Sequence, residues 1–178
     1  MILNQDLGIN NRRIRDAYFN WFLEWDWDLF LTIAYGYYKN IPNQTAVRAT
    51  VKFLNWMRRS YKKARFAGII QFVHIEATPH THTLLVSDPR YPKTLGTYFN
   101  GYGELTNMAQ KLRSPIALSG LRFPRNKGVT GKMTRGWGNE TICGYVTSPR
   151  NMDLSNMNKS DIYAYRPNLL ESLKRSEP

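Results

Sequence analysis

Cysteine is almost missing from this chain of 178 residues: Cys143 stands alone. One thiol excludes an intramolecular disulfide framework and any zinc finger built on cysteine pairs, and it suits a reducing compartment. No apolar run approaches the roughly 18 residues that a membrane span needs, and the first residues show no apolar stretch behind a basic start, so neither an anchor nor a leader is predicted. Acidic side chains are also scarce. Lys and Arg number 25 against 13 Asp and Glu, which leaves a formal charge of +12 and a pI near 10.0. That surplus points to a polyanionic partner, and nucleic acid is a commoner one than a membrane surface. Apolar residues at 42 % and a mean hydropathy of −0.50 describe one soluble globular domain with a sizeable core. The expected location is the cytoplasm.

Periodicity sets the expected elements. Ile14, Tyr18, Trp21, Phe22 and Trp25 recur at helical spacing, predicting a helix over 12–25, and LFLTIAY at 29–35 is a short β-prone run. Pro42 opens a long amphipathic helix that keeps its 3.6-residue period to about 64 and carries Arg58, Arg59, Lys62, Lys63 and Arg65 at its far end. Strands follow at 69–75, 80–86 and 115–123, with a glycine-interrupted helical stretch at 94–113 between the last two. Residues 124–138 lack periodicity and are rich in glycine and basic side chains, which describes a basic loop. A short helix capped by Asn139 and Glu140 runs to Thr147, and Pro149 ends it. Beyond 150 the chain is polar, with a last helix near 168–174. The hairpin of 69–75 and 80–86 must be antiparallel, so the expected class is α+β: an antiparallel sheet with helices mainly on one face. We divide the chain into a helical extension (1–27), a main domain (28–150) and a polar tail (151–178), packed on the domain or flexible.

All three histidines fall within nine residues, in VHIEATPHTHTLL. With 77–79 as the hairpin loop, Glu76 falls opposite His80 and His74 opposite His82. Opposed residues and residues two apart share a face, so the four project together. A strand His-x-His on its own suits a wet sheet face as well. With a carboxylate beside it in a strongly basic chain, it suits a divalent metal: Glu76, His80 and His82 are the candidate ligands, and His74 is a further ligand, a partner of one, or neither.

These residues resemble the metal motif of the HUH endonucleases: rolling-circle replication initiators, with relaxases and single-tyrosine transposases as relatives. In many initiators a carboxylate precedes the paired histidines, as Glu76 does here. The strand at 29–35 resembles the family's first motif, and Ile142-Cys143-Gly144-Tyr145-Val146-Thr147 resembles its third, the nucleophile helix. The three occur in the family's order. Thr81 replaces the usual bulky apolar residue between the histidines, and Ser148 stands where a lysine is expected. The 63 positions from His82 to Tyr145 resemble the spacing of plasmid initiators and of single-tyrosine transposases.

The resemblance implies an RRM-like or ferredoxin-like HUH domain in which metal and tyrosine meet on the sheet's open face. It also implies an enzyme, a metal-dependent DNA endonuclease and strand transferase. Tyr145 would attack single-stranded origin DNA with Mn²⁺ or Mg²⁺ as cofactor, leaving a 5′-phosphotyrosine and a 3′-hydroxyl. A histidine-rich site favours Mn²⁺ over Mg²⁺. The implied setting is a bacterial or archaeal plasmid or phage host cell, with a host helicase and polymerase as partners and no membrane. Tyr145 reads otherwise as a core aromatic, with Tyr163 and Tyr165 as spare nucleophiles. The candidate DNA contacts are Arg125, Lys127, Lys132 and Arg135, with Trp137 available to stack on a base. The basic end of the long helix is either a further phosphate contact or a solvated face. A single-tyrosine transposase and a non-catalytic nucleic-acid-binding module are the alternative functions.

The charge surplus carries the first prediction. Affinity for single-stranded DNA should fall steeply from low to physiological salt, each neutralised phosphate adding roughly −0.7 to the log–log slope. A salt-independent affinity in a filter-binding titration would exclude phosphate contact as its source.

Overall fold

A computed structural model describes residues 3–34, 41–60, 65–73, 80–91, 95, 117–122, 138–152, 154 and 161–175. In chain order the elements are α1 (Leu3–Phe22), β1 (Leu29–Ala34), α2 (Asn43–Ser60), β2 (Phe66–Val73), β3 (His80–Ser87), β4 (Ala117–Arg122), α3 (Asn139–Val146), β5 (Ile162–Tyr165) and α4 (Pro167–Glu171). The strands make one sheet ordered β4-β1-β3-β2-β5, in which every neighbouring pair is antiparallel. Because β1 and β2 both run against β3, they share a direction. The unit β1-α2-β2 is therefore a split β-α-β with β3 inserted between its strands.

Both faces of this sheet are buried. Leu29, Leu31 and Ile33 of β1 join Phe66, Ile70 and Phe72 of β2 under α2, which contributes Val47, Phe53, Leu54 and Met57. The alternate residues Phe30, Ala67, Ile69, Leu84 and Val86 face the other way. They pack against Phe22, Trp25, Trp27, α3 and α4. The expectation of helices mainly on one face is thus corrected: among the described residues, helices cover both. The cause is visible in FAGIIQFV and TLLV, which are apolar at both parities and so have no face to leave in water.

The segment expected as a polar tail is also part of the fold. Its β5 pairs with β2, setting Tyr165 against Gly68 and Tyr163 against Ile70. Beyond it, residues 167–175 close over the tryptophan corner that follows α1. Leu170 O accepts from Trp25 Nε1 at 2.8 Å, Arg175 N donates to Glu24 O at 2.7 Å, and Lys174 Nζ lies 5.3 Å above the Trp25 ring. The ring N–H of Trp27 goes to Phe22 O at 2.7 Å. Each indole thus buries its apolar body and still satisfies its donor. Gly68 of β2 has no room for a side chain, since a Cβ there would lie 2.1 Å from Leu84 O. Predicted elements at 94–113 and 124–138 lie outside the described residues apart from Leu95 and Gly138. No helix among the described residues is long and apolar enough to cross a membrane.

Asp28, directly before β1, is 3 % exposed and accepts Ser87 N–H on Oδ2 at 2.5 Å. Burial pushes its carboxyl from 3.8 up to about 6, outweighing the hydrogen bonds from Ser87 that pull it down. The folded protein therefore holds a proton that the unfolded chain releases. This stabilisation is full below pH 3.8 and is lost as pH rises through about 6. Asp28→Asn stays neutral and keeps an acceptor for Ser87. The stability of wild type relative to Asp28→Asn should fall by about 2–3 kcal/mol between pH 4 and pH 7. Urea unfolding at both pH values measures it, and a flat difference would contradict the burial of this carboxyl.

Candidate metal and nucleophile site

The site is built on β3, the central strand. Residues two apart on a strand share a face, so His80 and His82 point together toward α3, with ring centroids 4.9 Å apart. Thr81 points the other way. It is fully buried beneath α2, and its hydroxyl lies 3.1 Å from the hydroxyl of Thr50. A polar residue between the histidines is accommodated because α2 supplies that partner.

His82 is 1 % exposed. Its ring is enclosed by Phe30 at 5.3 Å, His80 at 4.9 Å and Tyr145 at 5.2 Å between centroids. Nδ1 meets Gln71 Oε1 at 3.3 Å, while Nε2 is buried with no hydrogen-bond partner. Burial above all, with the nearby charge of His80 second, lowers the imidazole from 6.5 to about 3. His82 is accordingly neutral at physiological pH, which is the form a metal ligand must take. An unmet nitrogen in so dry a place is costly, about 1–3 kcal/mol.

The tyrosine arrives on α3. Ile142, Cys143 and Val146 are the buried residues of this helix, and Tyr145 lies beside them at the margin at 38 % exposure. Its ring packs edge-on against Phe30 at 6.1 Å and tilts over His82. The predicted Asn139 cap is replaced: Gly138 occupies the N-cap, and Asn139 instead ties the helix to the tryptophan corner. It donates to Trp25 O at 2.8 Å and accepts from Trp27 N at 3.3 Å. At the other end Asn151 donates to Tyr145 O at 2.7 Å and to Ser148 Oγ at 3.2 Å. The serine that stands in the expected lysine position thus helps to close the turn after the helix. Cys143 is no rival nucleophile, since burial pushes its thiol up to about 12.

The expected ligand register is corrected. The ladder sets Val73 against His80 and Gln71 against His82, where Glu76 and His74 were expected. β2 begins at Phe66, earlier than predicted, because the apolar run starts before Ile69. Glu76 and His74 themselves lie outside the described residues, and so do Arg125, Lys127, Lys132, Arg135 and Trp137. Among the described residues no third His, Cys, Asp or Glu joins the histidine pair.

The spare tyrosines are separated from the histidines. Tyr165, 5 % exposed, donates to Asn55 Oδ1 at 3.0 Å, and both it and Tyr163 pack with the α2 core on the opposite face. Arg58 and Arg59 are exposed on the last turn of α2, the helix covering that opposite face. Sequence reasoning missed Gln71, Phe30 and Asn151. The one available signal was Gln71, the only polar side chain in FAGIIQFV.

The chain matches no known protein family, no curated protein and no solved structure.

Proposed function

We propose that this protein is an HUH-type replication initiator that nicks and rejoins single-stranded DNA at a replication origin. The observation that carries the reading is the meeting of His80, His82 and Tyr145 on one sheet face, with the His82 and Tyr145 rings 5.2 Å apart and a buried, unpartnered nitrogen on His82. The order β4-β1-β3-β2 with a split β-α-β supports an RRM-like or ferredoxin-like sheet. The charge of +12 supports a DNA partner.

On this reading His80 and His82 hold a divalent ion, Mn²⁺ or Mg²⁺, with Glu76 as the carboxylate ligand that the resemblance implies. When bound, the ion supplies charge neutralisation and polarisation at the scissile phosphate. The residues of the chain do the rest. Tyr145 is held at its backbone by Asn151 and at its ring by Phe30 and His82, so its hydroxyl is presented on a rigid element. The tyrosine oxygen forms a bond to phosphorus as the bond to the 3′-oxygen breaks, and the phenolic proton is transferred overall to that leaving oxygen. The products are a 5′-phosphotyrosine and a free 3′-hydroxyl able to prime a polymerase. Reversal rejoins the strand, because the phosphodiester energy is conserved in the intermediate. A single-tyrosine transposase would use the same chemistry. Ser148 at the expected lysine position favours one further reading, a non-catalytic nucleic-acid-binding module.

Incubation with labelled single-stranded oligonucleotides and Mn²⁺ tests the enzyme reading. Wild type should yield a covalent protein–DNA band. Tyr145→Phe, which removes only a hydroxyl, and His80→Ala combined with His82→Ala should each reduce it at least about 100-fold. DNA affinity should change little, since phosphate contacts come mainly from Lys and Arg. Full nicking by the double histidine variant would refute the metal role, and no adduct from wild type under any metal condition would leave the binding module as the reading.

A further inference from the structure

We propose that Gln71 is the positioning residue of this site: it fixes the tautomer that turns His82 Nε2 toward a divalent cation, and it ties that histidine to the end of the tyrosine helix. The inference rests on the metal reading above.

The hydrogen bonds leave the Gln71 amide one orientation. Its Nε2 donates to Val146 O at 2.9 Å and to Asn151 O at 3.2 Å. Carbonyl oxygens only accept, so the NH₂ group must face them, and Oε1 must face His82. Oε1 in turn only accepts. The His82 nitrogen 3.3 Å away, Nδ1, therefore carries the proton. The neutral ring then has its lone pair on Nε2, the buried atom without a partner, which shares a face with His80. A histidine that ligates metal through one nitrogen and gives its other N–H to a fixed acceptor follows the general pattern for such ligands.

The same amide reaches the nucleophile's helix. Val146 follows Tyr145 directly, and Asn151, whose carbonyl Gln71 holds, donates its own side chain to Tyr145 O. One buried side chain on β2 thus ties β3 to α3. This explains why a lone amide stands in an otherwise apolar strand.

The test uses metal-free protein with ¹⁵N-labelled histidine, in which long-range proton–nitrogen spectra report the tautomer; the His82 signals are identified by their loss in His82→Gln. Wild type should show the proton on Nδ1. Gln71→Met, nearly isosteric and without an acceptor, should shift the population toward the Nε2 proton and weaken Mn²⁺ binding 10- to 100-fold in titration calorimetry. Gln71→Glu restores an acceptor opposite Nδ1 and should restore the tautomer, so the role remains testable if the methionine variant fails to fold. A proton on Nε2 in wild type would overturn the proposal, as would a methionine variant with unchanged tautomer and unchanged Mn²⁺ affinity. Wild type with the expected tautomer but no Mn²⁺ binding would instead overturn the metal reading on which the proposal rests.

Discussion

A β-strand sends successive side chains to opposite faces, and on β3, the middle of five strands, that alternation decides almost everything else. It puts His80 and His82 on the side of α3 and Thr81 on the side of α2. Both sides are covered, so a polar group on the strand is either met within the protein or left unmet, as the buried Thr83 hydroxyl is. Thr81 finds Thr50, and His82 finds Gln71 through one nitrogen only. The nitrogen left over is the feature that gives the site chemical meaning. Only where burial is this complete does an unmet lone pair point to a ligand, because at a surface water would satisfy it.

Two-sided burial also sets the charge states. Asp28 is raised to about 6, Cys143 to about 12, and His82 is lowered to about 3, each toward its neutral form and each chiefly by desolvation. Asp88 shows what it takes to resist. Hydrogen bonds from Arg90, at 2.8 Å on both oxygens, outweigh its desolvation and hold it below the usual carboxylate range. The interior of this basic protein therefore keeps its His82 ring uncharged. A cation placed beside that ring would meet a lone pair rather than another positive charge.

Much of the sheet was legible in the sequence. The runs at 29–35, 80–86 and 115–123 became β1, β3 and β4 within a residue or two, because short β-prone segments between turn signals have few other uses. The helix at Asn139–Val146 and the long helix starting at Asn43 were legible for the same kind of reason. β5 was not. Ile162–Tyr165 is four residues of an edge strand, in which two tyrosines read as polar and only one neighbour supplies a ladder. The register of the hairpin escaped as well, since a shift of three residues leaves both strands apolar at both parities and so carries no penalty that composition reveals. His80, His82 and Tyr145 could be named from residue type and spacing. Gln71 could not, because a glutamine in an apolar strand acquires meaning only when the residue opposite it is known.

Tyr145, alone among the described tyrosines, lies beside the histidine pair, where the proposed chemistry needs a nucleophile. Protease digestion and mass spectrometry of a protein–oligonucleotide adduct formed with Mn²⁺ tests that role most directly. The nucleotide should be found on the tryptic peptide 136–150, whose single tyrosine is Tyr145. A nucleotide on Tyr163 or Tyr165, which pack on the far face of the sheet, would contradict it.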